Sequence, residues 1–370
     1  MSTKKLHIIA FDNPFPPDYG GAVDMYYKIG ALRDAGIRII LHVFEYGRNV
    51  HGDIAQQCDA VYYYPRMKWV NPFLCLPYIV ASRNSKLLLR RLLQDDAPIL
   101  FEGIHTCYWL LHPLLSHRVK LVRMHNIEHD YYRQLAKVEA RILKRAYFHL
   151  EAMLLKRFYP KLKAANHILA ISANDYETLS RDFNTTTLVG PFHAHKAVKC
   201  ATGKGQFVLY HGNLAVSEND EAARFLVNEV FSKLDVPFVI AGNSPSLSLQ
   251  KDVERYPHIE LKSSISTAEI DQLIEDAHIH ILPTFQPTGI KLKLIHVMFS
   301  GRFVVANSNM VKNTGCEPYC TVADAPTEMQ NAIMRLMKRE FTEQDAEERA
   351  RGLSELFSTR RQASIIAGLI

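Results

Sequence analysis

The stretch LHIIAFDNPFPPDYGGAVDMYYKIGALRDAGIRIILHVF, residues 6–44, sets the fold class. Leu6 to Phe11 is an apolar run behind two lysines, as a buried parallel strand requires. A proline-rich loop follows and ends in Gly20 and Gly21. A helical pattern then runs from Ala22 to Ala35 and stops at Gly36. Ile37 to Phe44 reads as the next strand. Strand, helix, strand in this order is a βαβ unit, and such units build parallel sheets.

The alternation continues. Further strands are predicted at 60–64, 99–102, 119–124 and 167–171. The longest helical stretch runs from about Tyr131 to Ala165, with a break at Pro160. Ser172 or Asn174 caps the helix after the last of these strands. Residues 191–205 keep no sustained pattern and read as a linker closing an N-terminal domain of residues 1–190. A second series then starts, with strands at 207–210, 238–241, 259–262, 279–282 and 303–306. Helices are predicted over 218–234, 267–276 and 291–300, giving a C-terminal domain of residues 206–342. The fold class is α/β, with two doubly wound Rossmann-like domains. Such sheets bind ligands at the carboxyl ends of their strands, and a cleft between two domains suits two substrates.

Composition agrees with this reading. The chain has 370 residues, 48% hydrophobic and 22% charged, which excludes disordered and collagen-like classes. The net charge of +6 is unevenly divided. Residues 1–200 hold 27 Lys+Arg against 17 Asp+Glu, whereas residues 201–370 hold 17 against 21. A basic first half suggests an anionic partner for that half. The six cysteines form no CxxC pair, so neither a zinc knuckle nor a disulfide framework is expected. No signal peptide or membrane span is read, and a cytoplasmic location is expected.

Three groups of residues carry a resemblance. The first is the loop Phe15-Pro-Pro-Asp-Tyr-Gly-Gly-Ala22. The second is Val122-Arg-Met-His-Asn-Ile-Glu-His129. The third spans Leu209-Tyr-His-Gly-Asn-Leu214, Val239-Ile-Ala-Gly-Asn243, Ile279 to Phe285, Thr288 to His296 and Ser300 to Ala306. In this order they resemble the GT-B glycosyltransferases, specifically the large retaining family called family 4 or group 1. The resemblance implies transfer of a sugar from a nucleotide-sugar donor to a glycan or lipid-linked acceptor. It implies retention of anomeric configuration, and cell-surface polysaccharide or lipopolysaccharide assembly as the process. His125 would face the donor sugar as the catalytic residue. Gly20 and Gly21 would form the acceptor-side loop. Gly212, Asn213, Gly242, Thr288, Gly289, Ile290, Lys291, Lys293 and His296 would bind the donor. Residues 343–370 would form a helical region returning to the N-terminal domain.

The chemistry explains these residue types. The diphosphate of the donor leaves with growing negative charge. Helix N-terminal amides and nearby cations stabilise that charge, so neither metal nor cofactor is expected. The chain also departs from the family pattern. Thr288 and His296 stand where many members carry two glutamates. Asn213 stands for an Arg, and residues 217–219 (Ser-Glu-Asn) fill the region of a Lys. A catalytically silent domain serving as a binding or partner subunit is therefore a second expectation. His125-Asn-Ile-Glu128-His129 is also a literal H-x-x-E-H, the inverted zinc-hydrolase pattern, provided one helix carries all three residues. No nucleic-acid motif is visible.

Residues 60–94 hold six basic residues and no acid, interleaved with Trp69, Phe73, Leu74 and Tyr78. A second basic cluster (Arg141, Lys144, Arg145, Lys156, Arg157, Lys161 and Lys163) lies on the long helical stretch. Basic residues among aromatic and aliphatic ones suit peripheral contact with an anionic membrane face.

Overall fold

The computed structural model describes residues 4–48, 52–69, 75–139, 141–285 and 291–370. The chain divides into two units. The first holds the described residues up to 194 together with 359–370; the second holds those of 195–358.

The sheet of the first unit has seven strands: β1 (Lys5–Ala10), β2 (Arg38–Glu45), β3 (Ala60–Pro65), β4 (Ile99–Glu102), β5 (Lys120–Met124), β6 (His167–Ala170) and β7 (Thr186–Leu188). Their order is β3-β2-β1-β4-β5-β6-β7, and every neighbouring pair is parallel. Helices α1 (Gly20–Asp34), α2 (Tyr78–Ala81), α3 (Lys86–Leu92), α4 (Glu128–Val138), α5 (Ile142–Phe158) and α6 (Ala173–Asp182) belong to this unit. Side chains alternate along each strand, so the sheet needs cover on both faces. Ile9, Phe101, Val122 and Ile168 pack in one core with Leu88, Leu155 and Leu179 from α3, α5 and α6. Ile8, Leu100, Leu121 and Leu169 pack in the other with Met25 and Ile29 of α1.

The second unit has β8 (Val208–His211), β9 (Phe238–Ala241), β10 (Ile259–Lys262), β11 (Ile279–Leu282), β12 (Phe303–Ala306) and β13 (Thr321–Val322). The order is β10-β9-β8-β11-β12-β13, again parallel throughout. Its helices are α7 (Ser217–Phe225), α8 (Leu247–Val253), α9 (Thr267–Asp276), α10 (Leu292–Ser300), α11 (Ser308–Val311), α12 (Pro326–Leu336) and α13 (Glu343–Leu356). Arg349 of α13 donates to the Gly301 carbonyl at 2.6 Å, which ties this helix to the second unit. The last helix, α14 (Thr359–Leu369), packs in the first unit. There Ala363 and Ile366 join the α1 core, and Gln362 accepts from Gly190 N at 2.8 Å.

Both sheets reverse strand order once, between β1 and β4 and between β8 and β11. Loops diverge at such a point and leave a crevice at the carboxyl ends of the strands.

Three expectations need correction. The long helical stretch is two helices, because Glu139 leaves the helix with an extended backbone. Its carboxylate accepts from Arg141 N and restarts the chain into α5, while Pro160 falls in a short turn after that helix. The helix expected from Lys291 begins at Leu292, with Lys291 as its cap residue. Of residues 343–370, expected to return to the N-terminal domain, only α14 does so, because Arg349 ties α13 to the second unit.

Candidate active site

In the first unit, the carboxyl ends of β1, β4 and β5 carry a buried group of charges. Glu102 ends β4, and His125 follows β5 directly. The His125 Nε2 lies 2.9 Å from Glu102 Oε2. Lys28 reaches the same carboxylate at 2.8 Å and also donates to Asp24 Oδ2 at 3.0 Å. Asp24 and Lys28 are four apart on α1, so both project from one helix face. Arg123, inside β5, completes the group. Its Nε and a terminal nitrogen grip Asp24 at 2.8 and 2.7 Å, a two-pronged match. Its other bonds go to the Val189 and Gly190 carbonyls, both at 2.9 Å.

Asp24, Lys28, Glu102 and Arg123 are fully buried. Burial alone would raise the Asp24 carboxyl, but Arg123 and Lys28 outweigh it and hold the group far below the carboxylate range. Glu102 follows the same balance: burial raises it, and Lys28 with the His125 hydrogen bond brings it below its ordinary value. The two carboxylates and two cations cancel. Glu102 therefore stays ionised as an acceptor for the His125 Nε2–H. In the neutral ring the other nitrogen, Nδ1, then carries the lone pair. That nitrogen is buried and has no hydrogen-bond partner among the described residues.

The surroundings of His125 are apolar on one side and titratable on the other. The Phe11 ring meets it edge-on at 5.3 Å. The neighbouring His105 is pushed well below its ordinary value by burial. Glu128, at the start of α4, is pushed up to about 7 by burial, against the weaker pull of Asn126 and Arg83. Gly20 and Gly21 open α1, and a Cβ on Gly21 would stand 2.8 Å from the Phe11 ring. The small residue lets the helix start come close to the end of β1.

Asp24, Glu102 and His125 place one ligand atom each within 4.8 Å of one another. Lys28 and Arg123 already occupy the carboxylates, so a metal would have to strip two buried cations of their partners. The inverted zinc pattern fails on register. His125 lies outside the helix that carries Glu128 and His129. The His129 ring packs instead against Tyr159 at 5.0 Å.

The second unit brings its candidates to the carboxyl end of β8. Gly212 and Asn213 follow that strand directly. Gly242 follows β9, and a Cβ there would overlap the Gly212 carbonyl at 1.9 Å, so the two loops touch only because it is glycine. The exposed Asn213 accepts from Ala215 N at 3.1 Å through its side chain. Lys293, in the first turn of α10, crosses to Asn219 Oδ1 at 2.9 Å and lies 5.4 Å from the Tyr210 ring centroid. Burial pushes its ammonium down to about 8, although Glu218 opposes this. His296, on the same helix, pairs with Asp271 Oδ1 at 3.2 Å. Lys291 is half-buried. Thr288, Gly289 and Ile290 lie outside the described residues. Just upstream, Asn307 pins Thr284 by accepting from its amide at 3.0 Å and donating to its carbonyl at 2.7 Å.

With this geometry in place, residues 205–339 match the family model described as Glycosyl transferases group 1. Residues 205–339 are thus similar to a group 1 glycosyltransferase domain. The fold of the chain is GT-B. The crystal structure of TarM resembles it with a TM-score of 0.70 at 11% identity, covering 100% of this chain and 99% of that one. MurG of Acinetobacter baumannii resembles it at a TM-score of 0.53 and 12% identity, covering 98% and 99%. By sequence it is similar to an "Uncharacterized 44.6 kDa protein in cps region" of Klebsiella pneumoniae, 27% identical over 84% of each chain.

The group 1 match covers β8 to α12, and hence Gly212, Asn213, Gly242, Lys293 and His296. It does not reach the buried charges of the first unit, of which the motifs held Arg123 but not Asp24, Lys28 or Glu102. A signal was available: Arg123 lies in the strand predicted at 119–124, and an arginine buried in a parallel sheet requires an anion.

Proposed function

We propose that the chain moves a sugar from a nucleotide-sugar donor to a glycan or lipid-linked acceptor in cell-surface polysaccharide or lipopolysaccharide assembly. The observation that carries this reading is His125. Glu102 fixes one of its ring nitrogens, and the other stands unpaired near a topological switch point. A ring held this way offers a fixed acceptor to a donor-sugar hydroxyl. The donor diphosphate belongs on the second unit, with the amides around Gly289 and Lys291 and the Lys293 ammonium as counter-charges. A Lys293 pushed down to about 8 gains charge from an arriving anion. No metal or cofactor enters this reading. Retention follows the group 1 resemblance, and the relative in the cps region supports surface polysaccharide as the process. TarM was solved with UDP and alpha-GlcNAc-glycerol, which supports a UDP-sugar as the first donor to try.

The test is a thermal-shift panel of UDP-, GDP-, ADP- and CMP-sugars, followed by turnover of whichever one binds. His125→Ala is expected to lower turnover by roughly 100-fold, within the usual range for a positioned histidine, while the donor-induced shift persists. Lys291→Ala combined with Lys293→Ala is expected to weaken donor affinity by roughly tenfold or more, as the loss of two charge-assisted contacts implies. Unchanged affinity would remove both lysines from the donor site. No shift with any nucleotide sugar would favour the silent binding subunit, a reading that the pairing of His296 with Asp271 keeps open.

A further inference from the structure

We infer that the exposed face of α5, together with residues 66–69, is a membrane-docking surface that inserts into a bilayer rich in anionic lipid. This rests on the lipid-linked acceptor reading and names the element that makes the contact.

The face begins with apolar residues that the fold does not use. Ile142 is 72% exposed, Leu143 88%, Leu150 51% and Met153 61%. At 100° per residue these four and the partly exposed Tyr147 fall within an arc of about 140°. The opposite side carries Glu151, Ala152, Leu155 and Phe158, all buried. The helix is therefore apolar on both sides, and among the described residues only one side is covered within the unit.

Charge complements this pattern. Arg145 and Lys156 lie together along one edge of the apolar arc, and Arg157 lies within it by the same spacing. The one acid of α5, Glu151, is turned inward. Its two oxygens accept from Tyr78 N at 2.9 Å and Ile79 N at 2.8 Å, at the start of α2. The acid thus serves as a cap for another helix and leaves the outer face without negative charge.

The same contact links the two basic stretches. Tyr78, held by Glu151 through its amide, donates its hydroxyl to the Lys68 carbonyl at 3.3 Å. Trp69 follows and is 88% exposed. Arg66 lies over the Tyr78 ring at 5.0 Å and over the exposed Tyr46 ring at 4.2 Å. An exposed tryptophan, three residues after an arginine that covers two tyrosine rings, suits the headgroup level of a bilayer. Exposed leucines on the neighbouring helix suit the acyl boundary. A second copy of the chain fits poorly, because pairing this face with itself would oppose Arg145, Lys156 and Arg157 with like charges.

The full-length protein is mixed with vesicles of phosphatidylglycerol and phosphatidylethanolamine, or of phosphatidylcholine alone, and sedimented. The wild type is expected to sediment with the anionic vesicles, with a blue shift of tryptophan emission that Trp69→Phe abolishes. Leu143→Glu with Ile142→Glu is expected to reduce binding at least tenfold with little change in melting temperature, because both side chains are mostly in water. Arg145→Glu with Lys156→Glu is expected to reduce it similarly at low salt. Wild-type binding to both vesicle types alike, binding by the apolar-face variant equal to wild type, or a dimer that the apolar-face variant dissociates would each overturn the proposal. The readout needs no donor. Vesicle binding without any nucleotide-sugar shift would sink the transferase reading and leave the docking face standing.

Discussion

Replacing Asp24 by Asn is expected to cost the first unit about 3–5 kcal/mol, the usual penalty for removing one partner of a buried ion pair. Asp24 accepts two bonds from Arg123, one from Lys28 and one from the Phe192 amide at 2.9 Å, with no exposure to water. The amide leaves two buried cations facing Glu102 alone. One positive charge is then uncompensated in a medium that screens it weakly. Urea unfolding monitored in the full chain checks this, with the transition of the first unit taken separately. Pairing Asp24→Asn with Arg123→Gln removes one charge of each sign. The double variant is expected to lose less than the two single losses combined, the signature of direct coupling. A single-variant loss below about 1 kcal/mol would mean that the charges are solvated, and the assigned network would fall. The same substitution bears on function, because Lys28 would turn wholly to Glu102 and loosen its hold on His125.

The central strands were legible because they are buried on both faces. β4, β9, β11 and β12 begin and end at the residues that their apolar runs predict. Ser172 was legible as a cap by residue type, and its hydroxyl accepts from Asp175 N at 3.1 Å. β7 and β13 were not, since two or three half-exposed residues at a sheet edge leave no apolar pattern. The glycines and His125 could be placed because their motif positions sit at strand ends. Glu102 could not be paired with His125 from sequence: 23 residues separate them, and only the β4–β5 pairing makes them neighbours. Lys293 and Asn219 are 74 residues apart and meet only when α10 lies against α7. Periodicity tells which side of an element is buried. It does not tell which charges meet there.

Glu128 gives the second large effect, with a sign opposite to that of an ordinary ion-paired acid. Its folded carboxyl is pushed up to about 7 by burial, whereas an unfolded glutamate titrates near 4.5. Between these values the folded chain holds a proton that the unfolded chain has lost. The group's contribution to stability is therefore fully present below pH 4.5 and is lost as pH rises through 7. The whole interval is worth about 3 kcal/mol. Glu128→Gln keeps the shape and cannot ionise. The variant is expected to be more stable than wild type at pH 8 by up to about 3 kcal/mol, with the advantage gone by pH 4.5. Buried histidines such as His7, pushed down to about 4 by burial, destabilise both proteins alike on acidification and cancel in the difference. Urea midpoints of both proteins from pH 4.5 to 8 give that difference directly. A constant gap across this range would show that Glu128 titrates as a solvated acid. A gap that opens with pH would show that the chain keeps, two residues after Asn126, a buried acid that costs stability at neutral pH. Buried acids with so perturbed a carboxyl are found most often at functional sites.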